Sequence, residues 1–398
     1  MSIPPKFLDE IRSRVTVSEI VGRTVKLIKA GREHKGCCPF HHEKTPSFTV
    51  SDDKQFYHCF GCGAHGDVIN FLQQNNNLSF IEAVEMLATQ AGLQVPKSTP
   101  QEVEKAKKAK DLYDLMDAAT KFFQTQLHSP QNQDVLDYVV KRGLGTTEQQ
   151  NFHIGYAPQD RQALRKHLIT LGYSDKDMIE AGVTKPSSKG GDPYAFFNDR
   201  VMFPVTDRRG RVIAFGGRAL PEHMRPPNQS SFTPPKYINS GDTALFDKGR
   251  SLYAIAQARQ ASGEGKPIIV TEGYMDVIAC HSAGFTGAVA PMGTALTEEQ
   301  VTLLWKIIVD HEKVPILCFD GDNAGRKAAA RSVERIMPLL SAGHSVRFAF
   351  LPDGKDPDDL LKESGAKGFQ KVLDSAISLL DFLWHLHTAG RNLTTPEA

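Results

Sequence analysis

Ile268-Ile-Val-Thr-Glu-Gly-Tyr-Met-Asp276 decides the fold. A short apolar run ends in a carboxylate, Glu272. A glycine turn follows, and a second carboxylate, Asp276, stands one helical turn further on. The pattern then recurs. Thr286-Gly-Ala-Val-Ala290, Pro315-Ile-Leu-Cys-Phe319 and Ser345-Val-Arg-Phe-Ala-Phe350 read as strands. Between and after them, helices are expected from Tyr274 to His281, Glu298 to Val309, Gly325 to Leu340 and near Asp358. Strands alternating with helices imply right-handed βαβ units and a parallel sheet.

In open parallel sheets, function gathers beyond the carboxyl ends of the strands. Acids stand there three times over: Glu272; then Asp320 and Asp322; then Asp353, Asp356, Asp358 and Asp359. Gathering that much negative charge costs repulsion unless cations neutralise it. Hard oxygen ligands of this kind suit Mg²⁺ or Mn²⁺. A single Asp after a strand is ordinarily a helix N-cap, but three strand ends acting together favour a metal site. Asp276 could face the same site, and Asp353 and Asp359 could equally be solvated loop charges.

Working toward the N-terminus, Arg200 to Arg250 holds nine Lys or Arg against four acids, a net of +5. Arg200-Val-Met-Phe-Pro-Val205 and Arg211-Val-Ile-Ala-Phe215 read as strands joined by the turn Asp207-Arg-Arg-Gly210. Beside an acidic metal edge, this segment suits a phosphate-bearing template or nucleotide. Residues 111–180 are helical in pattern. No Gly-x4-Gly-Lys-Ser/Thr occurs, so the chain carries no P-loop motor.

Four of the six cysteines fall within 26 residues. Cys38-x2-His41, seventeen residues, then Cys59-x2-Cys62 gives two chelating pairs, with Cys37 and His42 as neighbouring competitors. Three thiolates and one imidazole close a tetrahedron around Zn²⁺, which makes a structural site. Ser47-Phe-Thr-Val50 and Lys54-Gln-Phe-Tyr-His58 read as paired strands, and helices are expected at Phe7–Val15, Asp67–Leu72 and Phe80–Ala91. Phe40, Phe48, Phe56, Tyr57 and Phe60 can stack bases or fill a small core. Val95-Pro-Lys-Ser-Thr-Pro-Gln-Glu102 reads as a linker, with a solvated helix beginning at Glu102.

The 398 residues are 40% hydrophobic and 23% charged, with a net charge of +1. That excludes wholesale disorder and a uniformly basic coat. No run of 18 apolar residues and no secretion-type start occur, and the cysteines are too few for a disulfide scaffold, so a cytoplasmic protein is expected.

Together, Cys38-Pro-Phe-His-His-Glu-Lys-Thr-Pro-Ser-Phe48, Tyr57-His-Cys-Phe-Gly-Cys-Gly63, Phe215-Gly-Gly-Arg218, Glu272-Gly-Tyr-Met-Asp276, Asp320-Gly-Asp-Asn-Ala-Gly325 and Asp353-Gly-Lys-Asp-Pro-Asp358 resemble, in order, the motifs of DnaG-type bacterial replicative DNA primases. The resemblance implies an α+β multidomain protein: a zinc-ribbon-like domain, then a mixed α/β catalytic core with a TOPRIM parallel-sheet subdomain. The boundaries expected are 1–97 for the zinc domain, 98–110 for the linker, 111–259 for the basic N-terminal part of the core, 260–345 for TOPRIM and 346–398 for its end and a helical part. It implies a nucleotidyltransferase that makes short RNA primers on single-stranded DNA from ribonucleoside triphosphates. Zinc would be held by Cys38, His41, Cys59 and Cys62. The catalytic Mg²⁺ or Mn²⁺ would be held by Glu272, Asp320, Asp322, Asp356 and Asp358, with Asp276 beside them. Arg200, Arg218, Lys236 and Tyr237 would line the template or nucleotide path. The family also carries a domain that docks on the replicative helicase. The sequence stops at Ala398, so that docking is expected of a longer parent. The alternative is a TOPRIM-type nuclease or topoisomerase-like DNA enzyme.

Overall fold

A computed structural model describes residues 5–76, 78–94, 100–188, 190–225, 234–293 and 295–388. The chain forms two compact units, Met1–Lys107 and Lys108–Ala398. The division falls inside one helix, Pro100–Leu127. Residues 95–99 of the expected linker lie outside the described residues. From Pro100 the backbone is already helical, two residues before the expected start. Proline suits the first helical turn, and the Gln, Glu, Lys and Ala that follow are good helix formers.

The first unit is built on a five-stranded antiparallel sheet: Ile28–Ala30, Glu33–Gly36, Phe48–Ser51, Phe56–Cys59 and His65–Gly66, in that order across the sheet. Helices Pro5–Arg14 and Val17–Val21 precede it, and Val68–Asn75 and Phe80–Gln90 follow. Both later helices start in capping boxes, Asp67 with Asn70 and Ser79 with Glu82. Phe48, Tyr57 and Phe71 are fully buried, and Phe48 and Tyr57 stack at 5.3 Å.

In the second unit, Gly155–Ala157, Arg200–Thr206, Val212–Ala219 and Tyr237–Asn239 form an antiparallel four-stranded sheet. Its edge strand Gly155–Ala157 interrupts the stretch expected to be wholly helical. Three buried residues are too few to show a two-residue period. The Phe215-Gly-Gly-Arg218 motif lies within a strand, not beyond its end.

The other sheet runs Ala288–Val289, Ile269–Val270, Ile316–Phe319, Arg347–Phe350, Ile377–Ser378. The first four strands are parallel, as the alternating pattern requires, and the fifth is antiparallel. Both faces are covered, so the strands read as continuous apolar runs. Ile269, Ile316, Cys318 and Ala349 pack toward one core, and Val270, Leu317, Phe319 and Phe348 toward another. Cys280 and Cys318 are buried free thiols in this unit. Among the described residues, no helix is long and apolar enough to cross a membrane.

Candidate active site and metal centre

In the first unit, the chain turns between Gly36 and Phe48 bring Cys38 and His41 against Cys59 and Cys62. One ligand atom from each of the four lies within 4.8 Å of the others. Cys38 Sγ is 3.7 Å from Cys62 Sγ, and Cys59 Sγ is 3.7 Å from His41 Nδ1. A tetrahedron with Zn–S bonds of ~2.3 Å has sulfur–sulfur edges of ~3.8 Å, so the donors fit zinc in number, type and spacing. The competitor Cys37 is exposed and outside the set. Burial raises the Cys59 thiol, but hydrogen bonds, the amides of Cys62 and Gly61 among them, outweigh it and hold Cys59 at about 6. Burial pushes its neighbour Cys38 up to about 12. Phe40, Phe48 and Tyr57 belong to the core, whereas Phe60 is 74% exposed and packs edge-on against His58 at 4.5 Å. The ladder sets Ile28, Lys35, Thr49, His58 and His65 in one row across the sheet.

In the second unit, the parallel strands deliver Glu272, Asp320 and Asp322 to one edge. The Asp320 amide reaches Glu272 Oε1 at 3.5 Å. Asp320 Oδ1 is buried with no hydrogen-bond partner. Burial, reinforced by Glu272, Asp356, Asp322 and Asp359, pushes Asp320 up to about 7. Burial also raises Glu272 and, strongly, Asp276, which is 9% exposed and feels Asp356, Asp320 and Asp358. A buried carboxylate oxygen without a donor, among other acids, is what a divalent cation would satisfy. Among the described residues, these acids do not close as tightly as the Cys/His set.

Two of the acids cap helices. Asp322 Oδ1 accepts from the Gly325 amide at 2.7 Å, and Asp356 Oδ1 from the Asp359 amide at 2.7 Å, with Pro357 at the first helical position. Asp358 is buried, with Oδ2 2.6 Å from Lys362 Nζ and 3.8 Å from Arg142 Nη2. Asp353 is 90% exposed in its side chain and pairs only loosely with Arg326; Asp359 is also exposed.

The basic residues divide. Arg200 is buried and donates to the carbonyls of Gly217 and Pro235, so it holds the sheet together in this arrangement. Arg218 is half-buried, donating to the hydroxyls of Tyr138 and Tyr237, with its guanidinium 5.2 Å above the Tyr237 ring. Tyr237, raised by burial, feels both Asp276 and Arg142. Lys236 is exposed. The sequence reading missed Arg142, because its segment reads as an ordinary amphipathic helix end. It also missed Glu43 and Ser47, whose only signal is a carboxylate two residues after a candidate ligand.

Three family descriptions match in order: "CHC2 zinc finger" over 3–103, "DNA primase catalytic core, N-terminal domain" over 122–259, and "Toprim-like" over 269–361. The DNA primase of Haemophilus influenzae is 41% identical over 390 residues, 96% of this chain and 63% of that protein. The chain thus spans less than two thirds of that relative's length. The zinc-binding and RNA polymerase domains of the Aquifex aeolicus primase superpose with TM-score 0.59 at 34% identity, covering 96% of this chain and 88% of that one. A DnaG primase catalytic domain bound to ssDNA gives TM-score 0.64 at 37% identity, covering 73% and 87%. A metal-binding zinc-finger domain and a Toprim core, in this order and with this likeness, place the chain in the DnaG-type family of bacterial DNA primases.

Proposed function

We propose that the chain is the zinc-binding and polymerising part of a DNA primase. It would copy single-stranded DNA into short RNA primers from ribonucleoside triphosphates during replication, in the bacterial cytoplasm. The observation that carries this is the acidic edge: Asp320 Oδ1, buried and unpartnered, among Glu272, Asp276, Asp356 and Asp322.

In this reading Glu272, Asp320, Asp322, Asp356 and Asp358 hold divalent cations, Mg²⁺ or Mn²⁺. Bound there, such ions neutralise a triphosphate and make a hydroxyl a better nucleophile. Asp322 and Asp356 are pre-oriented, because each has one oxygen fixed by a helix amide. The deeply buried Asp276 lies behind them, and cations bound at the edge would favour its charged form against the burial that raises it. Arg142 and Arg218, with Tyr237, form a cationic and aromatic wall that orients phosphates, and exposed Lys236 extends it along the nucleotide or template path. Arg200 shapes that path through its carbonyl contacts. In the other unit, Cys38, His41, Cys59 and Cys62 hold structural zinc. The exposed Phe60 with His58 and His65 offers stacking rings, and Lys35 in the same row a cation, to unpaired template bases. We retain the divisions 1–97, 98–110, 111–259, 260–345 and 346–398 as functional parts.

The competing topoisomerase-like reading would want a nucleophilic tyrosine presented to the acidic edge, whereas the nuclease reading needs only metal-activated water. Tyr274 is buried, with its hydroxyl engaged by Asn239, which favours primase over the topoisomerase-like reading. Incorporation of labelled ribonucleotides on single-stranded DNA with Mg²⁺ or Mn²⁺ tests the proposal. Short RNA that disappears with Asp320→Asn supports it. Metal-dependent cutting of the DNA without RNA synthesis overturns it.

A further inference from the structure

The imidazole of His41 has two different neighbours. Its Nδ1 lies 3.7 Å from Cys59 Sγ, matching the ligand–ligand edge of a zinc tetrahedron. Its Nε2 lies on the other side, 3.3 Å from Glu43 Oε2. The Glu43 side chain is 10% exposed and tied down at both oxygens. Oε1 accepts from the Cys38 amide at 2.6 Å and the Ser47 amide at 3.2 Å. Oε2 accepts from the Ser47 hydroxyl at 2.5 Å. The ring also needs room: a Cβ at position 61 would lie 2.7 Å from His41 Nε2 and 2.9 Å from Ser47 Oγ, so only glycine admits this arrangement.

We infer that Glu43 is a positioning residue of the metal centre, holding the proton of His41 on Nε2 so that Nδ1 binds the metal. The inference rests on the zinc reading of the Cys38, His41, Cys59 and Cys62 set. The contact is one of charge and not a hydrogen bond: a carboxylate oxygen 3.3 Å away attracts the ring when Nε2 carries a proton and repels a lone pair there. That leaves the Nδ1 lone pair free, and the charge behind Nε2–H makes it a stronger donor to a cation. Oε1 is anchored by the backbone of the same loop, including the amide of the ligand Cys38. The carboxylate therefore fixes the ring and the first chelating pair as one piece. A glutamine at 43 cannot reproduce this. Its single carbonyl oxygen can serve the two amides or the ring N–H, while its NH₂ meets a donor at the other place.

The test uses the full chain loaded with Zn²⁺ and labelled with ¹⁵N-histidine. Long-range ¹H–¹⁵N correlation, assigned with His41→Ala, reads which ring nitrogen holds the proton and which the metal. Protonated Nε2 with metal-bound Nδ1 is expected, and metal-bound Nε2 overturns the inference even if every Glu43 variant misfolds. Zinc release to a colorimetric chelator should quicken by roughly 10- to 100-fold in Glu43→Gln. Glu33→Gln, a distant acid of the same sheet, should release at the wild-type rate. Unchanged release in Glu43→Gln and Glu43→Ala overturns the inference while leaving one bound zinc per chain intact. A wild-type chain that retains no zinc overturns the parent reading instead, and this inference with it.

Discussion

The hydroxyl of Tyr274 donates to Oδ1 of Asn239 at 2.6 Å, and Asn239 in turn donates to the carbonyl of Met292 at 3.0 Å. The first residue opens the helix Tyr274–Ser282 that follows a parallel strand, and the second belongs to the edge strand of the antiparallel sheet. The Tyr274 ring stacks on Phe203 at 5.3 Å and meets Tyr253 edge-on at 4.7 Å. This contact fixes the turn that carries Glu272 and the helix start that carries Asp276 against the basic part of the core.

Gly216 makes that contact possible. A Cβ there would lie 2.5 Å from the Tyr274 hydroxyl and ring, and the ring has no space to retreat. Gly216→Ala should therefore destabilise the chain by about 1–3 kcal/mol, measured by denaturant unfolding. Tyr274→Phe should cost about 1 kcal/mol and retain RNA synthesis, because the hydroxyl carries no chemistry. Complete loss of synthesis in a folded Tyr274→Phe would contradict this assignment.

Asp320→Asn should separate activity from stability. The substitution removes a charge that is crowded by Glu272 and Asp356 and has a buried, unpartnered oxygen. Without divalent ions, the variant should melt at or above the wild-type temperature at pH 8. Ribonucleotide incorporation should fall by roughly 100-fold or more, the scale of losing one preorganised charge at a reacting centre. Calorimetry beside the incorporation assay checks both.

Removing zinc should unfold one unit and spare the other. Apparent binding energies of structural zinc in small peptides are about 10–16 kcal/mol, comparable to the stability of a whole small domain. Chelation, or Cys62→Ser, should open residues 28–66 to protease. A fragment beginning near Lys108 should remain intact, as read by mass spectrometry of the digest.

His281 should contribute an acid-side loss of stability. It is half-buried against Phe152, with Nε2 3.0 Å from the Ala288 carbonyl, and loss of solvent lowers its pKa from the ordinary 6.5. Below about 6.5 the unfolded chain takes up a proton that the folded chain resists. The stability present above that pH is therefore lost as pH falls toward the folded value. Melting temperature should drop between pH 7 and pH 5, and His281→Gln should flatten part of that drop.

The alternation from Ile268 to Phe350 was legible because each parallel strand is a short buried run followed by a helix, and three of the four end in acids. The gathering of Cys38, His41, Cys59 and Cys62 was legible because two x2 pairs constrain one another. Gly155–Ala157 was not, since three buried residues carry no period. Arg200 showed a limit of another kind: charge counting finds an arginine but not that its side chain turns inward to Gly217 and Pro235. Glu43 lies inside the Cys38–Phe48 motif, but its contacts with Cys38, His41 and Ser47 exist only once that loop has folded back on itself. The pairing of Arg142 with Asp358 joins residues 216 positions apart, which no local pattern encodes.

The helix caps at Asp322 and Asp356 carry a consequence for how such a chain drifts. Each carboxylate closes the first turn of a helix as well as facing the acidic edge, and asparagine closes that turn equally well. A descendant released from catalysis would still be selected for Asp or Asn at both positions. Glu272 and Asp320, which crowd their neighbours and cap nothing, would be free to vanish. Decay of this site would thus be ordered, and a degenerate copy would be recognised by intact caps around an erased centre.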